Sequence, residues 1–169
     1  MEELFNQFGW RLTLETAQLP DGREKKSVRV YRCDSVHILA FKTPGTILLL
    51  REFRPFYQEY IYMLPSGKVD KEVDSTAAAH RELREETGYD AHSLESFGSI
   101  NLTDSIVITN HLFIAKDLYQ SPLLQDDDEL IEVLECTIDD AIEKVLNSPK
   151  VHSPSAVALL KYARHTASQ

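Results

Sequence analysis

The chain has 169 residues, 43% of them hydrophobic and 27% charged, with a formal net charge of −9. That size fits one domain with room for an ordinary core, and the composition is that of a soluble globular protein. The acidic balance argues against broad binding to nucleic acid or to an anionic membrane surface. The longest apolar runs, such as ILLL at 47–50, fall far short of a membrane span.

The first ten residues, MEELFNQFGW, are acidic and lack the basic and apolar regions of a secretory signal. Residues 9–18 alternate loosely and end in Leu19-Pro20-Asp21-Gly22, a strong turn signal. Residues 26–33 place Val28 and Val30 on one side, with Arg32 in line with them. The two segments read as a β-hairpin. DSVHILAF (34–41) is a third strand, and Thr43-Pro44-Gly45 turns it into TILLLREF (46–53). The unbroken apolar run in that fourth strand predicts burial on both faces. A short strand from Tyr60 to Leu64 stops at Pro65.

A helix is predicted to begin near Asp74, Ser75 or Thr76, all good N-cap types, and to end at Gly88. Strands follow at 94–101, 106–115 and 130–137. A helix over 137–148 places Ile138, Ala141, Ile142 and Val145 on one face. A last helix over 153–165 opens with Ser153-Pro154. Cys33 and Cys136 are far apart, in no metal-like spacing, and read as reduced thiols of a cytoplasmic protein. The six histidines, His80 and His111 among them, form no metal spacing and are expected to be surface or hydrogen-bonded core residues.

The chemistry concentrates in GKVDKEVDSTAAAHRELREETGY, residues 67–89. Glu82, Glu85 and Glu86 fall on one face of the predicted helix, since positions i, i+3 and i+4 are neighbours. Like charges at that spacing destabilise an isolated helix by about 0.2–0.5 kcal/mol. A divalent cation reverses the sign of that interaction. Carboxylate oxygens at this density suit Mg²⁺ or Mn²⁺ better than zinc.

This segment resembles the Nudix box, G-x5-E-x7-R-E-U-x-E-E-x-G-U, with U an aliphatic or bulky apolar residue. The match runs through Gly67, Arg81, Glu82, Leu83, Glu85, Glu86, Gly88 and Tyr89 at the family spacing. One position departs: the first family glutamate falls on Val73, with Glu72 one residue early. That glutamate ordinarily supports Arg81, so Glu72 or another acid has to take over the pairing. Beyond the box, PDGREKKSVRV, ILLLREFRP, LPSGKVD, HLFIAKDL and DDDELIEV look like the branch that hydrolyses ADP-ribose and nucleoside diphosphate sugars. The likeness covers roughly residues 10–145.

The resemblance implies a single Nudix domain over residues 1–169: an α/β/α sandwich around a mixed sheet, with antiparallel N-terminal strands. It implies a homodimer built through strands 9–33. It makes Glu82, Glu86 and the Ser66 carbonyl the metal ligands. Glu85 completes that set or holds a ligand water. Glu129 is favoured as the general base, with Asp127 and Asp128 as rivals. Arg51, Arg54 and, more weakly, Lys68 are the candidates for diphosphate or terminal sugar, because guanidinium groups suit bidentate phosphate binding. Base stacking falls to Tyr31, Phe53, Phe56 or Tyr57, and Trp10 is a candidate for the partner's site.

The implied reaction is Mg²⁺-dependent (or Mn²⁺-dependent) attack of water on one phosphorus, giving a nucleoside monophosphate and a sugar phosphate. ADP-ribose pyrophosphatases usually carry a proline about sixteen residues beyond the box. Asn101 to Ile106 has none, which leaves ADP- and GDP-linked hexoses as equal candidates. No tyrosine of the dinucleoside polyphosphate branch is present there, and the likeness to house-cleaning triphosphatases is lower. The competing class, raised by Val73, is a Nudix-fold module that binds a nucleotide sugar without cleaving it.

Overall fold

The computed structural model describes residues 1–71, 74–125 and 129–167. In chain order the elements are β1 (Glu2–Gln7), β2 (Trp10–Gln18), β3 (Glu24–Tyr31), β4 (Ser35–Thr43), β5 (Thr46–Arg54), β6 (Glu59–Met63), β7 (Ser66–Lys68), α1 (Ser75–Thr87), β8 (Tyr89–Ile100), β9 (Ile106–Val107), β10 (Asn110–Gln120), β11 (Ile131–Thr137), α2 (Ile138–Leu146) and α3 (Ser153–Thr166).

The strands form two sheets. A four-stranded sheet has the order β1-β2-β3-β9 and consists mainly of the expected N-terminal hairpin. Its first strand has no counterpart in the sequence reading. Phe8 and Gly9 make the β1–β2 turn at φ 55° and 74°, the left-handed backbone of a primed hairpin turn. Phenylalanine is a poor signal for that geometry, and β1 is exposed along its length, so no buried face reveals it. The segment 106–115 also departs from the single strand expected there. Ile106 and Val107 pair in parallel with β3, and the chain then enters the other sheet at Asn110.

The second sheet is mixed, with seven strands. β4 and β10 run parallel, whereas β10–β8, β5–β11, β5–β6 and β4–β7 are antiparallel. β4 and β5 are joined at Pro44-Gly45 and pair only at Phe41↔Ile47 and Thr43↔Thr46. Beyond that point they part: β5 takes β6 as its neighbour and β4 takes β7. The parting leaves an opening at the start of β4 and the end of β5.

Side-chain alternation along a strand gives each face of this sheet its own helices. Val36, Ile38, Ala40 and Leu48 pack with Ala78, Ala79 and Leu83 of α1. Leu39, Ile47, Leu49 and Leu112 pack with Ala141 and Val145 of α2 and with Ala156, Ala158 and Leu159 of α3. The expected α/β/α sandwich is therefore present, and the 47–50 run is buried on both faces. Among the described residues no helix is long and apolar enough to cross a membrane.

Candidate active site

α1 is positioned by its ends. The Asp74 carboxylate accepts from the Ala77 backbone N–H at 2.9 Å, the bond expected of an N-cap. Gly88 closes the helix at φ 77° and donates to the Arg84 carbonyl, a left-handed cap suited to glycine. Glu82 and Glu86, one turn apart, thereby face β7 across the opening between β4 and β5. The Ser66 N–H donates to Glu86 Oε2 at 2.7 Å. At Gly67 a Cβ would collide with the Glu82 carboxylate, so only glycine leaves room for that carboxylate where it stands.

Both carboxylates are buried, with Glu86 6% and Glu82 9% exposed. Burial penalises their charged forms. It pushes Glu82 up to about 7, against the opposing pull of Arg81, and raises Glu86 well above the usual carboxylate range. Glu129 adds like-charge repulsion on both, and also on Glu52. Among the described residues no three His, Cys, Asp or Glu side chains are already gathered around one point. A hard cation that keeps several waters needs only one or two carboxylates besides substrate phosphate, and Glu82, Glu86 and the adjacent Ser66 carbonyl fit that requirement.

Glu85 is placed differently from its two neighbours. Arg81 Nη1 donates to Glu85 Oε2 at 2.6 Å and lies 2.8 Å from Glu82 Oε1. Arg81 Nη2 donates to the Lys68 carbonyl at 3.0 Å and lies 3.8 Å from Asp70. Arg81 therefore has acids to pair with and ties the helix to β7. Glu85 is absent from the residues lining the cleft. Glu72 and Val73 lie outside the described residues, as do the rival bases Asp127 and Asp128.

The cleft has a volume of about 650 Å³ and is lined by Ser66, Gly67, Lys68, Glu82, Glu86 and Glu129 on the box side. Glu52 and Arg54 line it from β5. The two β5 arginines part company because strand side chains alternate. Arg54 shares a face with buried Glu52, and its guanidinium lies 3.1 Å from that carboxylate. Arg51 shares the opposite face with Phe53. It donates to Glu132 at 3.0 Å, stacks 3.9 Å over the Tyr60 ring and does not line the cleft. Of the two candidates for the diphosphate or terminal sugar, Arg54 is thus among the residues lining the cleft and Arg51 is not. Period-two alternation through Arg51, Glu52, Phe53 and Arg54 was the available signal for Glu52.

Of the aromatic candidates, Tyr57 lines the cleft and Phe56 is fully exposed. Phe53 packs against Tyr60 with ring centroids 5.2 Å apart. Tyr31 donates to Glu15 at 2.5 Å. Trp10 lies under the Arg32 guanidinium at 4.2 Å.

Two histidines unmarked by the sequence also line the cleft, His37 of β4 and His152 just before α3. Their ring centroids are 5.4 Å apart. Burial lowers His37 to about 4 and His152 to about 3. His37 is a hydrogen-bonded core residue at Nε2, 3.1 Å from Asn110 Oδ1, whereas its buried Nδ1 has no partner among the described residues.

With this geometry in place, the comparisons with known proteins agree. The NUDIX domain model matches residues 31–157, and the chain belongs to the Nudix family. It is 32% identical over 167 residues to the ADP-ribose pyrophosphatase of Bacillus subtilis (strain 168), covering 95% of this chain and 88% of that protein. The GDP-mannose pyrophosphatase of Yersinia enterocolitica serotype O:8 is 28% identical over 177 residues, covering 96% and 92% respectively. A crystal structure of an ADP compounds hydrolase matches with a TM-score of 0.82 at 20% identity, covering 99% of this chain and 92% of that chain. That structure shares the fold.

Proposed function

We propose that this Nudix hydrolase splits the diphosphate linkage of a nucleoside diphosphate sugar, giving a nucleoside monophosphate and a sugar phosphate. The observation that carries the reading is the pair of buried carboxylates, Glu82 and Glu86, facing the Ser66–Gly67 backbone in the cleft. Buried acids without a cation are held away from their charged form, so their burial favours a site made for Mg²⁺ or Mn²⁺. A bound ion of that kind supplies charge neutralisation for phosphate oxygens and a more acidic water.

The chain's own groups divide the remaining work. Glu82, Glu86 and the Ser66 carbonyl hold the ion. Arg54, presented by Glu52 at 3.1 Å, offers a guanidinium fork to the diphosphate, and Lys68 adds charge at the cleft rim. Glu129 accepts the proton of the attacking water. Glu85 acts through Arg81, to which it is bonded at 2.6 Å, and keeps α1 docked on β7. The substrate class is supported by relatives named for ADP-ribose and for GDP-mannose. Both are sugars joined to a nucleotide through a diphosphate.

The protein acts as a cytoplasmic homodimer in this reading, joined through residues 9–33. Trp10 and Val28 of that segment are exposed large apolar groups, as are Leu4, Phe5 and Phe8 of the adjoining β1 and its turn, which supports an interface on this sheet. The test is phosphate release from ADP-ribose, ADP-glucose and GDP-mannose, with phosphatase added and Mg²⁺ present or chelated. Magnesium-dependent release from at least one of them is expected. Tight binding without release identifies the non-catalytic module instead.

A further inference from the structure

Glu52 is out of place in a cleft that receives a diphosphate. It is 5% exposed and lines the cleft from β5, alongside Glu82, Glu86 and Glu129. Its charge repels that of Glu86, and Glu129 in turn repels Glu52. Burial raises the Glu52 carboxyl above its ordinary value, with Arg54 pulling the other way. A fourth acid also repels the phosphate oxygens that the site must attract. A carboxylate kept here against burial and repulsion needs a role that outweighs both.

Its contacts define that role. Arg54 Nη2 lies 3.1 Å from Glu52 Oε2 and 3.1 Å from Met63 Sδ. Glu52 pairs with Ile61 on one side and Ile131 on the other, so its backbone is held between two strands. A guanidinium has five N–H groups, and Arg54 can keep Glu52 on one while offering others to a phosphate. The carboxylate thus acts on Arg54 in two ways of opposite sign. As an anchor it keeps the guanidinium in the cleft, which favours binding. As a charge it offsets what Arg54 presents to an anion, which weakens binding. Only the second effect needs an ionised oxygen, since a neutral amide oxygen in the same place also accepts from Arg54.

The charge effect matters most after the reaction. Each phosphorus of a diphosphate linkage carries a single negative charge, whereas a monophosphate ester carries about −1.5 to −2. Hydrolysis therefore raises the charge facing Arg54. An arginine with no acid beside it would hold the product more tightly than the substrate.

We infer that Glu52 acts through Arg54 to hold down the cleft's affinity for the monophosphate product, so that the product leaves once the linkage is split. Glu52 is a positioning residue in this role, working on the orientation and charge of Arg54 instead of on the reacting atoms. The inference rests on the pyrophosphatase reading for the identity of the product.

The test uses whichever of ADP-ribose, ADP-glucose and GDP-mannose turns over best, with AMP or GMP as the matching product, in saturating Mg²⁺ at pH 8. KM, kcat and the product Ki are measured for the native chain, for Glu52→Gln and for Glu52→Asp. In the native protein Ki is expected to equal or exceed KM, in spite of the product's higher charge. Glu52→Gln keeps an acceptor for Arg54 and removes the charge. It is expected to lower Ki about tenfold and KM by less, with kcat no higher than native. Glu52→Asp keeps the charge and is expected to hold Ki within about threefold of native.

A native Ki well below KM overturns the inference and needs no variant. So does a Glu52→Gln protein whose Ki is unchanged or raised, which would leave Glu52 as an anchor alone. A Glu52→Asp protein that tightens on product as Glu52→Gln does would also overturn it. Absence of turnover on all three nucleotide sugars would count against the pyrophosphatase reading instead. The Glu52 comparison would then be made on Kd values for AMP and ADP-ribose by calorimetry in Mg²⁺, with the same expected signs.

Discussion

Helices α1 and α3 cover opposite faces of the same sheet, yet they bury different chemistry. α3 buries Pro154, Ser155, Ala156, Ala158 and Leu159. Its buried hydroxyl, Ser155 Oγ, is paired with the Leu64 N–H at 2.9 Å and with His152. α1 buries Ala78, Ala79 and Leu83, but also Glu82 and Glu86. Each α3 burial removes apolar surface from water or completes a hydrogen bond, which stabilises the fold. The two α1 carboxylates are driven from their charged forms by burial, Glu82 in spite of the Arg81 guanidinium beside it, which opposes folding until a further cation arrives. One layer is built for packing, and the other gives up some packing stability to hold a site.

Substitutions on the two layers should separate accordingly. Gly67→Ala drives a Cβ into Glu82. Displacing that carboxylate by about an ångström is expected to lower kcat about a hundredfold, with the circular dichroism spectrum unchanged. On the other layer, Leu159→Ala is expected to cost about 2–5 kcal/mol of stability while kcat at 25 °C holds. Urea titration and steady-state kinetics on both variants check the contrast. A Gly67→Ala protein with native turnover would break it.

A smaller effect divides the two faces of β5. Arg54→Ala should raise KM about tenfold through loss of a charge-assisted contact. Arg51→Ala, which breaks a partly exposed pair with Glu132 and a stack on Tyr60, both away from the cleft, should change KM less than about twofold. Equal effects in the two variants would show that alternation along β5 does not govern access to the cleft.

The smallest effect is in pH. Glu82 has its carboxyl raised to about 7 in the fold, so the metal-free protein binds more protons than its unfolded chain between the ordinary carboxylate value and 7. Its stability must then fall as pH rises through that window. His37 and His152 are depressed to about 4 and 3. They contribute stability above the ordinary histidine value of about 6.5, and it is lost as pH falls below that value towards theirs. A Tm profile in chelator should therefore decline on both sides of mildly acidic pH. Mg²⁺ should lift the alkaline side alone, and His37→Phe should flatten the acid side.

Much of the fold was legible because its signals are local. Alternation, the Pro44-Gly45 turn, the Asp74 cap and Gly88 each act within a few residues. β1 was hidden because its turn uses Phe8 at positive φ and no buried face marks the strand. β9 was hidden because Ile106 and Val107 serve a different sheet from the strand that follows. In the site, the box spacing located Glu82 and Glu86. It could not reveal that Glu85 is engaged by Arg81, since all three acids share one helical face. Glu52 was within reach of simple alternation with Arg54. His37 was not, because its significance lies in contacts with Ser35 and Asn110, the latter 73 residues away.

Manganese binding tests most directly whether Glu82 and Glu86 are buried to receive a cation. Calorimetric titration of the metal-free protein with Mn²⁺ at pH 8, without substrate, is expected to show saturable binding. In the Glu82→Gln/Glu86→Gln protein that affinity should weaken about a hundredfold or more, while the fold survives or gains stability. Equal Mn²⁺ affinity in the two proteins would contradict it.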